Sequence, residues 1–478
     1  MSTDQVQDPV RSESSVRGRP WLVLTVLCLA YFKAQLDGVV LPVALPSITA
    51  DLNASFQQTV WVMSAYIFTL AVTLITAGRL GDLYGKRRVF LTGVAVFTLC
   101  SLGGGLAQNP EQLITARALQ GLGAALIIPQ SMALLVETYP AERRGTALGI
   151  RGGAGGAAAV AGPVVGGLLV SLADWRWIFF LNLPLGIAIL VLAWLALPAA
   201  TQRSRRLDPF GVALSSGALL ALAVSLNQGE STGWDAWIWW TMGGAFLLAV
   251  VFVGQQWRWQ EREPLVPFGI FRDRNYTVMN FYAVLTSVTM IGLVLVMSVY
   301  FQTVLGFSAL RTGLILMPAS LFSMALSPLA GKLSDKVEGR YLLLVGGALT
   351  TAGMLWMLYG MRQSAHWQDF VVAMCVIGAG NAFLLTPLSA VALYRVTPET
   401  AGAASGVLVT SMQVGAMIGA AVVGGLLGSV SGAPVLDSSR LLMAVFALTG
   451  ALAAALCLAA RKNLPLAAPR DTPAESRE

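Results

Sequence analysis

Four ionisable side chains interrupt long apolar stretches of this 478-residue sequence, and their types could do chemistry there. Asp37 is the one clear carboxylate inside such a stretch, and the cations are Lys33, Arg117 and Arg151. Burial favours the neutral form of a carboxylate, whereas a nearby cation favours its ionised form. A carboxylate whose distance from a cation can change is therefore able to take up and release a proton. Because charges in apolar surroundings are costly, we interpret these side chains as functional.

The apolar stretches that hold these charges predict transmembrane helices. Hydrophobic residues make up 56% of the sequence and charged residues 12%, whereas about 25% of a soluble domain is charged. Runs of about 20 apolar residues are long enough to cross a bilayer as helices. The sequence therefore predicts an all-α polytopic membrane protein with fourteen spans, near residues 21–45, 57–78, 88–108, 111–137, 146–172, 176–198, 208–228, 236–256, 276–302, 310–331, 341–360, 367–394, 403–428 and 438–460.

The distribution of Lys and Arg predicts how these spans are oriented. With the N-terminus inside, 24 of the 31 Lys and Arg residues fall in cytoplasmic segments, four in outside loops and three within spans. Cytoplasmic loops of membrane proteins carry such an excess. We therefore expect a multi-pass protein of the plasma (inner) membrane with both termini in the cytoplasm. This topology accounts for the net charge of +7 without nucleic acid as a partner.

The same topology brings Asp37 and Arg117 to one depth. Asp37 lies about 12 Å from the outer end of its span, and Arg117 about 9 Å below the same surface, at about 1.5 Å per residue. We predict an ion pair that controls a proton; a static pair that fixes helix packing is the alternative. Lys33 stands one turn before Asp37, where it could neutralise the carboxylate or contact an anionic or electron-rich substrate. Arg151 lies about five residues from the inner end of its span, so we expect it to snorkel to the cytoplasmic surface, and a substrate contact is left open.

Uncharged polar residues within the spans are further candidates for binding a substrate. They occur on helices expected to line a central cavity, where a side chain either bonds a substrate or joins neighbouring helices. These candidates are Gln35, Gln120, Asn280, Asn381 and Gln413, with Tyr66 and Tyr282 as candidate stacking partners.

Other kinds of site are excluded by what the sequence lacks. Its four cysteines lie inside apolar runs without pair spacing, and its single histidine, His366, lies in a short polar connection. Neither a metal site nor a catalytic triad is therefore expected. No glycine-rich run has the strand and Lys-Ser/Thr context of a phosphate-binding loop, so ATP does not drive this chain. We expect no enzyme activity, no cofactor and no metal.

Two short segments recur at nearly one spacing, which indicates an internal repeat. Gly78–Asp82 matches Gly331–Asp335 at an offset of 253, and Gly145–Gly149 resembles Gly402–Gly406 at an offset of 257. Parallel repeats occur in transporters, with the substrate site between the halves. We therefore expect two six-helix bundles with two additional helices between them. The predicted divisions are a tail at 1–20, a bundle at 21–200, the additional helices at 201–256, a cytoplasmic linker at 257–275, a bundle at 276–461 and a tail at 462–478.

The motifs together resemble the major facilitator superfamily, and within it the fourteen-helix drug/proton antiporter group. The segment Gly78–Arg88 is similar to the signature loop of the superfamily. Further segments resemble the group's motifs in helices one, four, five and six, namely Leu36–Val40 with Ala44–Ile48, Arg117–Gly123, Gly162–Gly167 and Trp175–Pro184. The resemblance covers essentially the whole chain and is densest over residues 36–186. It implies the major facilitator fold.

The resemblance also implies roles for the residues that match. The segment after the second span is expected to be a cytoplasmic latch, which is intact in one conformation and broken in the other. The alternative is a basic anchor that only fixes the topology. The residues of the segment are Gly78, Arg79, Gly81, Asp82, Gly85, Lys86, Arg87 and Arg88. The motif in the fifth helix is expected to bend and pack that helix and is typical of exporters; its residues are Gly162, Pro163, Gly166 and Gly167.

The residues and the resemblance together predict a secondary active transporter that exports amphipathic drugs or antibiotics in exchange for protons, by alternating access. Asp37 would carry or control the proton, and Arg117 would bias it. Two alternatives stay open. The first is a narrow exporter of one metabolite or self-made antibiotic, and this compound would be anionic if Lys33 contacts it. The second is a membrane sensor that does not transport. The expected partners are a small-molecule substrate, protons and the lipid bilayer, and we expect a monomer.

Overall fold

The computed structural model describes residues 20–197, 207–229, 235–261, 264–428 and 435–459. The predicted tails lie outside these residues, apart from Pro20. Apolar runs form α-helices because a helix pairs its backbone N–H and C=O groups internally, as the core of a bilayer requires. The described residues form α1 (Pro20–Asp51), α2 (Phe56–Tyr84), α3 (Lys86–Gly105), α4 (Pro110–Thr138), α5 (Arg144–Leu172), α6 (Arg176–Phe180), α7 (Asn182–Ala196), α8 (Pro209–Gln228), α9 (Ala236–Arg258), α10 (Arg274–Val299), α11 (Ala309–Ser334), α12 (Gly339–Gly360), α13 (Gln368–Ala392), α14 (Ala401–Gly428) and α15 (Val435–Leu456).

Within the described ranges, fourteen helical segments are long and apolar enough to cross a membrane. The predicted all-α fold and its fourteen spans are therefore confirmed. The sixth span consists of two short helices, α6 and α7, which are separated at Leu181. The ninth span is α10 with a π-helical turn, Tyr300–Val304, that extends it.

The helices pack as two bundles. In the first bundle, α4 packs against α2 and α3, and α1 packs against α5 and α7. In the second bundle, α13 packs against α11 and α12, and α10 packs against α14 and α15. The two bundles meet where α5 packs against α11 and where α2 packs against α14. We call these two lines of contact the seam.

The two additional helices, α8 and α9, pack together as a hairpin attached to the seam. Helix α8 lies against α2 and α14, one helix from each bundle. Asp208 is 4% exposed and accepts hydrogen bonds from the side chains of Gln255 and Gln256 at 2.8 and 2.7 Å. The Gln256 Oε1 atom in turn accepts from the backbone N–H of Val266 at 3.0 Å. These bonds tie the hairpin to the chain that leads into the second bundle.

The two repeated segments, 78–88 and 331–340, lie together at one end of the bundles, which we call the latch face. The interpretation of 78–88 as a loop is wrong for its first part, because α2 continues to Tyr84. The break falls at Gly85, whose φ of 93° lies in the left-handed region that favours glycine. The helix continues past the end of the apolar run because charged side chains of its last turns bond to the second bundle.

Candidate functional site

Asp37 and Arg117 form a buried ion pair between α1 and α4. Arg117 Nη1 donates to Asp37 Oδ2, and the two side chains are 1% and 2% exposed, the carboxylate being the less exposed. The guanidinium also lies 4.4 Å from the centroid of the Tyr66 ring. Removing one partner of such a pair leaves an uncompensated buried charge, at a cost of about 3–5 kcal/mol. Any change in the protonation of Asp37 therefore acts directly on the packing of α1 against α4.

Neighbouring polar groups complete the surroundings of Asp37. Its Oδ1 atom accepts hydrogen bonds from Asn182 Nδ2 at 2.9 Å and from Gln120 Nε2 at 3.4 Å. Ser101 Oγ accepts from both of these amides at 3.0 Å and donates to the Phe179 carbonyl at 3.1 Å. The carboxylate thus has donors from α4 and α7 in addition to Arg117. Loss of its charge would weaken all of them together.

Asn182 and Ser101 were not identified by the sequence analysis. Asn182 lies within the motif Trp175–Pro184 and is a polar side chain in an apolar run, which is a signal that could have revealed it. Ser101 carries no such signal, because serines on apolar helices commonly bond to the backbone of their own helix. Only the packing of α3 against α4 and α6 shows that its hydroxyl meets the network around Asp37.

Lys33 points into the first bundle. Its Nζ atom donates to Thr98 Oγ1 at 2.7 Å and lies 4.6 Å from the centroid of the Phe97 ring. A Cβ atom at Gly186 would lie 2.7 Å from the same ammonium group, so α7 closes the third side. The side chain is 1% exposed. This position between α1, α3 and α7 gives no support to a substrate contact in this conformation.

Arg151 does not reach the latch face, so the expected snorkelling is wrong. Its side chain is buried, and the guanidinium carbon lies 3.6 Å from the centroid of the Tyr31 ring. Nε donates to Ser131 Oγ at 3.1 Å, and Nη2 donates to the Ile128 carbonyl at 3.5 Å. The side chain turns inward because an aromatic face of α1 and polar atoms of α4 stabilise a cation there; a desolvated cation–π contact is worth about 2 kcal/mol.

The other polar candidates divide between bundle interiors and half-buried positions. Tyr66 donates to the Ala34 carbonyl at 3.1 Å, and Asn280 accepts from Ser411 Oγ at 2.9 Å. Tyr282 is fully buried inside the second bundle. The bonds of Tyr66 and Asn280 join helices of one bundle. The candidates that are half-buried are Gln35, Asn381 and Gln413.

Asp82 joins the two bundles at the latch face. Its carboxylate accepts hydrogen bonds from the backbone N–H groups of Gly402 at 2.9 Å and Ala403 at 2.7 Å, in the first turn of α14. Negative charge is stabilised at a helix N-terminus by the unpaired N–H groups and the helix dipole. Lys86 lies 3.4 Å from the same carboxylate and donates to the Pro398 carbonyl at 2.6 Å. The segment therefore ties the first bundle to the second.

Asp335 makes the corresponding contact in the opposite direction. Its carboxylate accepts from the backbone N–H groups of Gly145 and Thr146, both at 2.8 Å, in the first turn of α5, and from the Thr146 hydroxyl. Burial raises the pKa of the Asp335 carboxyl above its ordinary value, and the hydrogen bonds from Thr146 and Gly145 oppose this. Arg144 adds a donor to the Leu393 carbonyl at 3.0 Å. The aspartate of each repeat thus caps a helix of the other bundle.

Glycines let the bundles approach closely beside each aspartate. A Cβ atom at Gly145 would lie 2.7 Å from the carbonyl oxygen of Gly331. At the related crossing, a Cβ atom at Gly406 would lie 3.2 Å from the Cα atom of Gly78. A larger side chain at Gly145 would therefore push the helices apart. These crossings make the latch face a tight closure.

The helix-five motif packs α5 against α1 beyond the seam. Pro163 lies within α5, and a Cβ atom at Gly162 would lie 2.9 Å from the Val39 side chain. One turn further, a Cβ atom at Gly166 would lie 3.1 Å from the Val40 side chain. Both valines follow Asp37 closely along α1. The motif therefore fixes the part of α1 that carries the ion pair.

The close approaches between α5 and α11 lie towards the latch face. They continue along α5 as far as Gly156, whose Cβ position is 3.0 Å from Met324. Farther along, Gly162 and Gly166 of α5 face α1 of their own bundle. On α1, three residues of one helical face are exposed in the half away from the latch face: Gly38, Pro42 and Pro46.

Comparisons with known proteins agree with this architecture. Residues 27–420 and 321–478 match the family model of the Major Facilitator Superfamily. The chain is 35% identical over 448 residues to the probable actinorhodin transporter of Streptomyces coelicolor, covering 91% of this chain and 77% of that protein. It is 33% identical to the tetracenomycin C resistance and export protein of Streptomyces glaucescens, covering 90% and 80%. The crystal structure of the human organic anion transporter MFSD10 has a TM-score of 0.68 at 13% identity, over 92% of this chain and 99% of that one, and this likeness concerns the fold.

Proposed function

Because this chain belongs to the Major Facilitator Superfamily, whose members are transporters, we propose that it exports amphipathic drugs or antibiotics across the plasma membrane in exchange for protons, by alternating access. One relative that covers most of the chain is named as a tetracenomycin C resistance and export protein, which supports export as the direction. The helix-five motif, typical of exporters, supports the same direction.

Proton coupling is carried by the buried pair of Asp37 and Arg117. Asp37 accepts from Arg117 on one oxygen and from Asn182 and Gln120 on the other, an arrangement that suits a charged carboxylate. Protonation would cancel its charge and leave Arg117 without a counter-ion in an apolar environment. The side chain of Arg117 would then shift, and α4 would move relative to α1. Uptake of a proton is coupled in this way to a change in the shape of the first bundle.

Alternating access is supported by the two reciprocal caps at the latch face. The excess of Lys and Arg predicts that this face is cytoplasmic, so the conformation described is closed to the cytoplasm. Opening the latch face requires both Asp82 and Asp335 to leave the helices that they cap. Because the two contacts derive from one repeat, they offer a symmetric closure that a rocking motion of the bundles breaks.

A narrow exporter of one metabolite or self-made antibiotic is the second candidate. Two relatives favour it, since the probable actinorhodin transporter and the tetracenomycin C resistance and export protein are each named for one compound. Half-buried Gln35, Asn381 and Gln413 are our candidates for direct substrate contact in either case.

The proposal is tested by proton release from energised inverted membrane vesicles on addition of lipophilic cations, anions and neutral antibiotics. Wild-type protein should release protons with at least one compound, and Asp37→Asn should abolish release. Asp51→Asn is the matched control, because Asp51 lies on the same helix and pairs with Arg176 at 2.8 Å but is 46% exposed; exposed pairs contribute about 0–1 kcal/mol. Release that survives Asp37→Asn would refute the coupling role. An absence of release with all compounds, from vesicles that contain folded protein, would contradict drug/proton exchange.

A further inference from the structure

The charges buried in the first bundle do not balance. Besides Arg79 and Lys86 near the latch face, three cations, Lys33, Arg117 and Arg151, are buried there with Asp37. Arg117 is paired with Asp37. Lys33 precedes Asp37 by one helical turn on α1, and its ammonium group bonds to Thr98. No carboxylate among the residues described lies within ion-pair distance of Arg151. An unpaired buried charge is costly, so its presence requires a compensating role.

The present contacts of Arg151 leave part of its guanidinium unused. An arginine has five N–H donors in a planar fork that matches a carboxylate. Nε bonds to Ser131 and Nη2 makes a long bond of 3.5 Å to the Ile128 carbonyl. The side chain of Tyr31 is a further hydrogen-bond partner of Arg151, so these three contacts do not use all five donors. The group is therefore held in position but retains capacity for an anion.

Arg151 lies beside the seam, at the level where a substrate loaded from the latch face would pass. It follows Arg144, the first residue of α5, by seven residues, or about 10 Å. The next residue, Gly152, faces the second bundle, where Thr386 Oγ1 lies 3.0 Å from the position of a Cβ atom. Thr386 Oγ1 is buried without a hydrogen-bond partner among the described residues. An unsatisfied hydroxyl of the second bundle thus lies beside the residue that follows Arg151.

Tyr31 covers Arg151 in the observed conformation. Its half-buried ring stacks on the guanidinium and fits against Gly155, whose Cβ position would be 2.9 Å from the ring. Gln35 follows Tyr31 by one turn on the same face of α1. The ring therefore occupies the place that the apolar body of a ligand would take if its anionic group reached Arg151. Movement of this ring when the latch face opens would exchange a cation–π contact for an ion pair.

We propose that Arg151 is the anchor for an amphipathic organic anion, a carboxylate or phenolate on an apolar body, with Thr386 as a second donor and Tyr31 as its cover. The inference rests on the proposed function, because it names the substrate class of the same transport path. It differs from the coupling site, since Asp37 and Arg117 make none of the contacts of Arg151.

The test measures binding to purified full-length protein in nanodiscs by fluorescence anisotropy. The probes are 9-anthracenecarboxylate and its uncharged methyl ester, which share one ring system. Wild-type protein should bind the carboxylate at least about 10-fold more tightly than the ester, as expected for a charge-assisted, bidentate contact. Arg151→Gln should bring the two affinities within about twofold. Lys33→Gln is the matched control, because it removes a buried cation of the same bundle that faces Thr98, and it should preserve the preference.

Thr386→Val provides a second variant that changes neither charge nor shape, for the case that Arg151→Gln does not fold. It should weaken binding of the carboxylate several-fold and leave the ester unaffected. Equal binding of carboxylate and ester by wild-type protein would overturn the inference, and so would a preference that Arg151→Gln and Thr386→Val both retain. The proposed function fails separately, through an absence of proton release with every compound. If cationic drugs cause proton release but the carboxylate probe binds no more tightly than the ester, the role of Arg151 as an anion anchor is refuted and the proposed function stands.

Discussion

The reciprocal caps at the latch face predict a measurable shift in the conformational equilibrium. Asp82→Asn and Asp335→Asn each replace a carboxylate that accepts two backbone N–H bonds by an amide with one acceptor oxygen. A hydrogen bond to a charged group contributes about 1.5–3 kcal/mol, and the charge–dipole interaction adds about 0.3–1 kcal/mol. We therefore expect each variant to destabilise the closed conformation relative to the open one by about 2–3 kcal/mol. This corresponds to a shift of about 30- to 150-fold in the ratio of closed to open molecules.

The two caps share no hydrogen-bond partner, so their effects should add in the double variant. Spin labels at Arg143 and Lys336, exposed residues of different bundles near Asp335, report the separation by double electron–electron resonance. The labels require a background without the four native cysteines. The long-distance population should rise in each single variant and dominate in the double variant. Asp174→Asn is the control, because that carboxylate is 44% exposed in the connection before α6. Unchanged distances in the double variant would refute the latch.

Two further predictions concern packing and the buried network. Gly402→Val places a side chain against Asp82 and should prevent closure of the latch face, which lowers the transport rate at least about 10-fold. Gly243→Val is the control, because its side chain enters open space and should leave the transport rate unchanged. Asn182→Leu removes a donor to Asp37 and should lower the free energy of unfolding by about 1–3 kcal/mol, measured by thermal unfolding in detergent; no loss would contradict the network.

Helix number and depth could be predicted because both depend on quantities that the sequence states directly. An apolar run of fixed length must become a helix in a bilayer, which gave fourteen spans. A constant rise per residue then placed Asp37 and Arg117 at one level, and the structure brings them into contact. The repeat of Gly78–Asp82 at Gly331–Asp335 likewise indicated two related bundles.

The direction of a side chain around its helix could not be predicted in the same way. Hydropathy gives little information on rotation when a helix is apolar on all sides. The contact of Lys33 with Thr98 and the inward turn of Arg151 onto Tyr31 depend on which helices are neighbours. The extension of α2 through Asp82 was missed for a related reason, since its charges are satisfied by the distant α14.

The central claim is that the charge of Asp37 couples protons to export. Its most direct measurement compares two activities of the same proteoliposomes: accumulation of a drug driven by a pH gradient, and exchange of labelled for unlabelled drug without a gradient. We predict that Asp37→Asn abolishes the driven accumulation and retains the exchange, because the variant can still open and close but carries no proton. Accumulation by Asp37→Asn equal to that of wild-type protein would contradict the account.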